Sequence, residues 1–291
     1  ALHLNIGIHA SRFFRNNQEQ LTPNLSDPYY NDNTRKDELS GFIKANYSMD
    51  KLDFFGDVQV RGVKLIFFPD HDFLGEITSI PTRDWLFINA SGGVTYSFNQ
   101  KMNIYASFGR TGREPTRFDI LGSTQINPFN VSIAQDINQV VQEYVNDIEA
   151  GYRWKSENLM INVNAFYMQF ENEIAPIGEF IPQGFVQVYE NQAPSQRYGT
   201  EVEFTYQFLP KFRLSGGGTY MEASISSFTD PATDIEYQNV TPILTPELNL
   251  QSTLSYEPIE RLAFELRGRY LSEAYMELTN DRDFIVPESF V

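Results

Sequence analysis

Between Tyr144 and Phe170 the side chains change character at every residue, and this period of two constrains the fold more than any other feature of the chain. Asn146, Ile148, Ala150, Tyr152 and Trp154 fall on one face of an extended segment, and Val145, Asp147, Glu149, Gly151 and Arg153 on the other. After a polar turn at Lys155–Asn158, Leu159, Ile161, Val163, Ala165 and Tyr167 alternate with Met160, Asn162, Asn164 and Phe166. The pattern predicts a long β-hairpin with one charged and one aliphatic face. Such a hairpin suits a sheet on a protein core or a wall between lipid and water.

The alternation recurs along the chain. Tight polar turns at Met49–Lys51, Asn99–Lys101, Lys155–Asn158, Leu209–Lys211 and Glu257–Arg261 are spaced by roughly 50 residues, room for two membrane strands of ~10 residues and a long loop. The fifth repeat is the cleanest: Leu248, Leu250, Leu254 and Tyr256 alternate with polar residues, as do Leu262, Phe264, Leu266 and Tyr270. Eleven strands are predicted, the first over Leu2–Arg12, with a twelfth beginning at Phe284. The other connections, Asn16–Asp37, Asp70–Asp84, Glu114–Gln142, Glu171–Gly184, Phe228–Pro242 and Ser272–Asp283, are long, acidic and rich in Pro and Asn. Within one of them, Ser132–Gln142 carries a Ser-x-x-Gln start that suits either a short helix or an irregular loop.

Short turns at one edge and long loops at the other are the signature of an outer-membrane barrel. Aromatics beside the turns, among them Tyr47, Phe54, Tyr96, Phe98, Tyr152, Trp154, Phe208, Phe212, Tyr256 and Phe264, stand where an interfacial girdle belongs. The predicted fold class is therefore all-β: part of a transmembrane antiparallel β-barrel, with no run approaching the ~20 apolar residues of a spanning helix. Composition removes other classes. The 38 acidic residues against 22 basic ones, a net charge of −16, argue against a nucleic-acid partner. The absence of cysteine excludes thiol chemistry, and having only three histidines, His3, His9 and His71, argues against a histidine-rich metal site; no cofactor or metal site is predicted.

Four segments carry a family resemblance: Tyr105–Arg117 (YASFGRTGREPTR), Asp147–Ile174 with its Glu-x-Gly hairpin, Asn191–Phe204 with its Gly-x-Glu strand, and Thr245–Pro258, where a strand begins after a proline. In this order they resemble the barrels of TonB-dependent outer-membrane receptors. The resemblance spans about Trp85–Phe290, and the first 84 residues share only the architecture. It implies that residues 1–291 are part of a ~22-stranded barrel, with the plug domain, the TonB-contacting segment and the terminal strand lying outside this sequence. It further implies energy-coupled import of a scarce ligand, by default a ferric siderophore or related metal chelate, without catalytic residues. The partners implied are outer-membrane lipid and lipopolysaccharide, the protein's own plug, and TonB.

On that reading Arg113 and Arg117, near the outer rim, are candidate contacts for an anionic chelate, as are Tyr29, Tyr30 and His71 in the outer loops. Asp147, Glu149, Arg153, Glu201, Glu203, Arg213, Glu265, Arg267 and Arg269, with Asp57 and Arg61, form a mixed-charge lumen wall expected to face the plug. Two rival readings share the alternation: a pore or adhesin without a plug, and an outer-membrane lipid hydrolase. The latter needs a Ser-His pair on the outward wall, whereas His3 and His9 alternate onto the lumenal face.

Overall fold

The computed structural model describes residues 1–19, 30–69, 82–121, 140–181, 186–230 and 233–291. It begins with five long strands, β1 (Leu2–Glu19), β2 (Tyr30–Met49), β3 (Leu52–Pro69), β4 (Arg83–Asn99) and β5 (Met102–Arg113), followed by one short helix, α1 (Arg117–Leu121). β6 (Glu143–Lys155) and β7 (Leu159–Glu171) form the hairpin anticipated from the alternation, and a smaller hairpin, β8 (Ile174–Ile181) and β9 (Val186–Asn191), follows. The chain continues through β10 (Ser195–Leu209), β11 (Phe212–Asp230), β12 (Ile235–Val240), β13 (Leu248–Ile259), β14 (Leu262–Leu271), and the two-residue strands β15 (Ala274–Tyr275), β16 (Ile285–Val286) and β17 (Ser289–Phe290).

Thirteen of these strands make one antiparallel sheet in the order β1-β2-β3-β4-β5-β6-β7-β10-β11-β13-β14-β17, with β12 paired to β11. β8–β9 and β15–β16 are separate two-stranded sheets. The main path thus holds eleven long strands and a twelfth short one. The hairpin register keeps every alternation in phase: Ile43 faces Val58, Val60 faces Ile88, and Ala106 faces Ala150, so one face of the sheet is continuously apolar. On that face Ile6 is 73% exposed, Ile8 82% and Leu266 72%. Side chains of this kind, repeated on neighbouring strands and covered by no protein, mark a surface built for lipid.

Aromatics bound the apolar band on both sides. Beside the tight turns, Phe212 stacks on Tyr256 at 4.3 Å, Phe208 and Phe264 extend the row, and Tyr96 meets Phe98 edge-on at 4.9 Å. At the opposite border Tyr167 donates to Gln196, Tyr198 and Tyr220 donate to Glu222, and Tyr270 donates to Glu288. On β10 the two girdles are the ten residues from Tyr198 to Phe208 apart, a rise of about 25 Å at ~3.3 Å per residue and ~40° tilt, the height of a membrane barrel's apolar band. Just beyond, the same phase turns polar at Arg12, Asp37, Lys64, Asp84, Arg110, Asn146, Gln169, Gln196 and Glu222.

The strands do not stop where the apolar pattern stops. β1 runs to Glu19 rather than Arg12, and β2 starts at Tyr30, so much of the connection expected over Asn16–Asp37 is strand. Polar cross-strand pairs carry this extension: Arg12 to Asp37 at 2.6 Å and Asn16 to Asn33 at 3.1 Å. Likewise, the connections expected over Glu171–Gly184 and Phe228–Pro242 contain β8 and β12, and β9, the partner of β8, follows just after the first of them. The fifth turn is the pair Glu260–Arg261, because the register shifts between Tyr256 and Ile259 and β13 continues to Ile259. The strand expected from Phe284 is instead the short β16, which pairs with β15, and the strand that pairs with β14 is β17. Of the segment Ser132–Gln142, residues 132–139 lie outside the described residues, and the helix that is described is α1.

Beyond the band, two apolar clusters fix the outer segments. Leu65 and Phe67 of β3 enclose Ile120 of α1, with Trp85 packed alongside. Ile177 of β8, Ile225 and Phe228 of β11, Val240 of β12 and Leu278 form the second.

Candidate functional site

The polar face of the sheet is the other half of the alternation. Cross-strand register puts Asn103 opposite Arg153, Ser107 opposite Glu149 and Gly109 opposite Asp147; further along, Glu201 and Glu203 face Thr219 and Gly217, and Thr253 and Gln251 face Arg267 and Arg269. All nine residues expected on the lumen wall therefore share this face, as do Asp57 and Arg61. Their interactions are local and lateral. Arg153 lies 4.3 Å from the centre of the Tyr105 ring, whose hydroxyl donates to Asn164 at 2.9 Å. Asn162 donates to Glu203, Arg267 to Glu265, and Arg213 approaches Glu257 at 3.9 Å. Asp147 keeps one buried oxygen without a hydrogen-bond partner among the described residues.

Towards the long-loop end the same face becomes a built structure. The segment after β5 folds back over β2 and β3, and Glu114 is buried against them. Its carboxylate accepts from Arg61 at 2.5 Å and pairs with Lys36, while Arg61 also reaches Glu38 at 3.3 Å and lies over the Phe87 ring. Burial pushes the Glu114 carboxyl up, but the Lys36 hydrogen bond and the charges of Lys36 and Arg61 outweigh it and hold the group below its ordinary value. Thr116 and Asp119 then cap α1 reciprocally: the Thr116 amide donates to the Asp119 carboxylate at 2.8 Å, and the Asp119 amide to the Thr116 hydroxyl at 3.2 Å.

Arg113 is the hub of this region. Its guanidinium donates to Glu143 at 2.9 Å, to Asp119 at 3.4 Å and to the carbonyl of Ile174 at 3.5 Å, tying β5 to β6, α1 and β8. Glu143 in turn accepts from the Ile174 amide at 2.7 Å. These contacts engage Arg113 at the loop base, while 43% of its side chain remains exposed. Arg117 lies at the start of α1 and lines a cavity of about 400 Å³ together with Ser11, Phe13, Arg15, Thr34, Lys36, Glu38, Val63, Leu65, Glu114, Pro115 and Thr116. Tyr29, His71 and the side chain of Tyr30 lie outside the described residues.

Several residues of this outer site escape a reading of apolar periodicity: Arg15, Thr34, Lys36, Glu38, Glu114 and Glu143. Their signal was available in phase. Lys36 and Glu38 continue the polar face of Ser40 and Lys44's neighbours by steps of two, once β2 is extended past the last apolar residue, Leu39.

An antiparallel wall with one lipid-facing side, two aromatic girdles and a polar inner side defines the class: a transmembrane β-barrel that encloses a polar lumen. The chain belongs to the TonB dependent receptor-like, beta-barrel family, whose model matches residues 3–287. That family is an outer-membrane protein class whose members are transporters rather than enzymes. Among solved structures, the chain is similar to the closed form of the ferric-catecholate import receptor Fiu from E. coli K12, with a TM-score of 0.72 and 14% identity over 99% of this chain and 44% of that one. It is also similar to the copper transporter OprC, with a TM-score of 0.74 and 13% identity over 100% and 44%, and to the ferric yersiniabactin uptake receptor FyuA from Yersinia pestis, with a TM-score of 0.67 and 13% identity over 99% and 42%. The chain spans less than half the length of each, and at these identities the likeness establishes the fold. No curated protein matches the sequence.

Proposed function

We propose that this chain is part of the barrel of an outer-membrane transporter that imports a scarce ligand, by default a ferric siderophore or related metal chelate, with energy delivered through TonB. The family match over residues 3–287 carries the reading. The ferric-catecholate, ferric yersiniabactin and copper cargoes of Fiu, FyuA and OprC support a metal-containing cargo. On this view the wall of Asp147, Glu149, Arg153, Glu201, Glu203, Arg213, Glu265, Arg267 and Arg269 faces a plug domain. Water-accessible polar contacts of that kind can be broken and remade at small cost, which suits a plug that must shift during transport. The outer site around Arg117 supplies ligand contacts from the barrel side, together with Tyr29, Tyr30 and His71 from the loops, while Arg113 supports the loop base. Lipid and lipopolysaccharide surround the apolar band.

The test is uptake by cells with and without the full-length protein, each with TonB intact or deleted, under limitation for iron and separately for copper. Growth on a supplied chelate that requires both the protein and TonB is the expected result. Growth that depends on neither under any limitation would remove the import reading.

A further inference from the structure

We infer that the cavity between β1, β2, β3 and the 114–117 segment is a subsite for an organic carboxylate carried by the imported ligand. The inference deepens the import reading and rests on it only for the claim that the bound molecule is cargo. The strand register builds the cavity: Ser11, Phe13 and Arg15 of β1 stand opposite Glu38, Lys36 and Thr34 of β2, and all six line it. It lies beyond the Arg12–Asp37 level at which the outer face of the wall turns polar, so it opens at the long-loop end of the lumen.

Its acidic groups are already engaged. Glu114 holds Lys36 and Arg61, and Glu38 shares Arg61. Arg15, Lys36 and Arg61 outnumber these two carboxylates. Thr34 supplies the observation that points to a ligand. It is 6% exposed, yet its Oγ1 has no hydrogen-bond partner among the described residues. Natural proteins seldom leave a buried hydroxyl in that condition, and an acceptor oxygen placed in the cavity satisfies it. Arg15, directly across the strand pair from Thr34, adds a guanidinium whose planar fork matches the two oxygens of a carboxylate. Ser11 adds a hydroxyl in the same row.

The rest of the lining selects the body of the ligand. Phe13, Val63, Leu65 and Pro115 form an apolar wall beside these donors. Such a wall favours the carbon skeleton of an organic acid and does nothing for a small, strongly hydrated ion such as inorganic phosphate. A volume of about 400 Å³ accommodates one small acid or one acidic arm of a larger chelate.

Isothermal titration of the full-length protein in detergent with benzoate, citrate and inorganic phosphate tests the inference. Saturable 1:1 binding of the organic acids is expected, with phosphate at least tenfold weaker. Arg15→Gln and Thr34→Val should each weaken acid binding by about tenfold or more, the size of a lost hydrogen bond to a charged group. Thr34→Val should leave the unfolding temperature undiminished, because its hydroxyl has no partner to lose among the described residues. Absence of saturable acid binding, phosphate binding as tight as the acids, or unchanged affinity in both variants would each overturn the subsite. TonB-dependent uptake together with unchanged acid affinity in the variants rejects the subsite and spares the import reading. Acid binding with the expected losses in a protein that transports nothing rejects import and supports the subsite.

Discussion

Gly199 and Gly151 show why two of the sequence motifs contain glycine. A Cβ on Gly199, in the Gly-x-Glu strand, would run into the carbonyl of Tyr220 and the Cα of Met221 on β11, which are ladder backbone and cannot turn aside. A Cβ on Gly151, in the Glu-x-Gly hairpin, would instead meet the Tyr105 ring, which can rotate away at the cost of its hydrogen bond to Asn164 and its contact with Arg153. Overpacking of this kind costs about 1–3 kcal/mol, so Gly151→Ala should fall in that range and Gly199→Ala above it. Urea unfolding of the full-length barrel in lipid measures both, and the reverse order would refute the distinction. Glu114→Gln should loosen the loop base by about 1–3 kcal/mol, the worth of a charged hydrogen bond, read as faster exchange of the Ile120 amide, which donates to Thr116 at 3.1 Å. Because the Glu114 carboxyl is held below its ordinary value in the folded protein, its contribution is complete above the ordinary carboxylate range and is lost as pH falls through the depressed value. Ile120 protection should therefore drop on acidification in the parent protein and respond less to acid in Glu114→Gln.

Among elements, the informative contrast is between strands that lipid dictates and strands that their neighbours dictate. Within the band, apolar and polar residues alternate because one face meets hydrocarbon, and that selection is legible in β6, β7, β13 and β14 without any structure. Past Arg12 and Asp37 both faces of β1 and β2 meet water, the alternation has no cause, and only the ladder and its polar pairs reveal that the strands continue. The β8–β9 hairpin is a sharper case. Two strands alone are marginal, and this pair is fixed by Ile177 in an apolar cluster, by the Ile174 amide on Glu143, and by Asn191. Asn191 accepts from the Val141 amide at 2.7 Å and donates to the carbonyls of Val141 at 3.1 Å and Asn172 at 2.7 Å. Asn191→Ala should raise the rate of protease cleavage within residues 174–191 by about tenfold, as expected for loss of one to two kcal/mol of local stability. The urea midpoint of the barrel should stay where it is. A lowered midpoint would mean that the hairpin is part of the barrel's cooperative unit.

For the whole molecule, the sheet is an open wall. Among the described residues β1 offers an unpaired edge along its 18 residues, and β14 is covered only by the two residues of β17 and by Val291, which exchanges backbone hydrogen bonds with Arg269. Unpaired strand edges cannot be left in hydrocarbon, where each unsatisfied backbone group costs several kcal/mol. Residues 1–291 expressed alone should therefore fail to give a monomeric, heat-modifiable band on electrophoresis after refolding into lipid vesicles, whereas the full-length protein should give one. A compact monomer from the fragment would mean that the wall can close on itself. The same openness leaves the nine charged residues of the polar face with mostly lateral partners among the described residues.

The sequence alone determined the fold class, the five tight turns, the face assigned to each membrane residue and the girdle beside the turns, because lipid and water impose a period of two that no tertiary contact needs to supply. It also marked Arg113 and Arg117 as residues of the outer rim. Tertiary structure alone shows what surrounds them there. Arg113 holds Glu143, Asp119 and Ile174, while Arg117 joins Arg15, Thr34 and Glu114 around a cavity whose members come from β1, β2, β3 and the segment after β5. A site assembled from residues a hundred positions apart leaves no local period, so its chemistry becomes visible only when strand register brings those residues together.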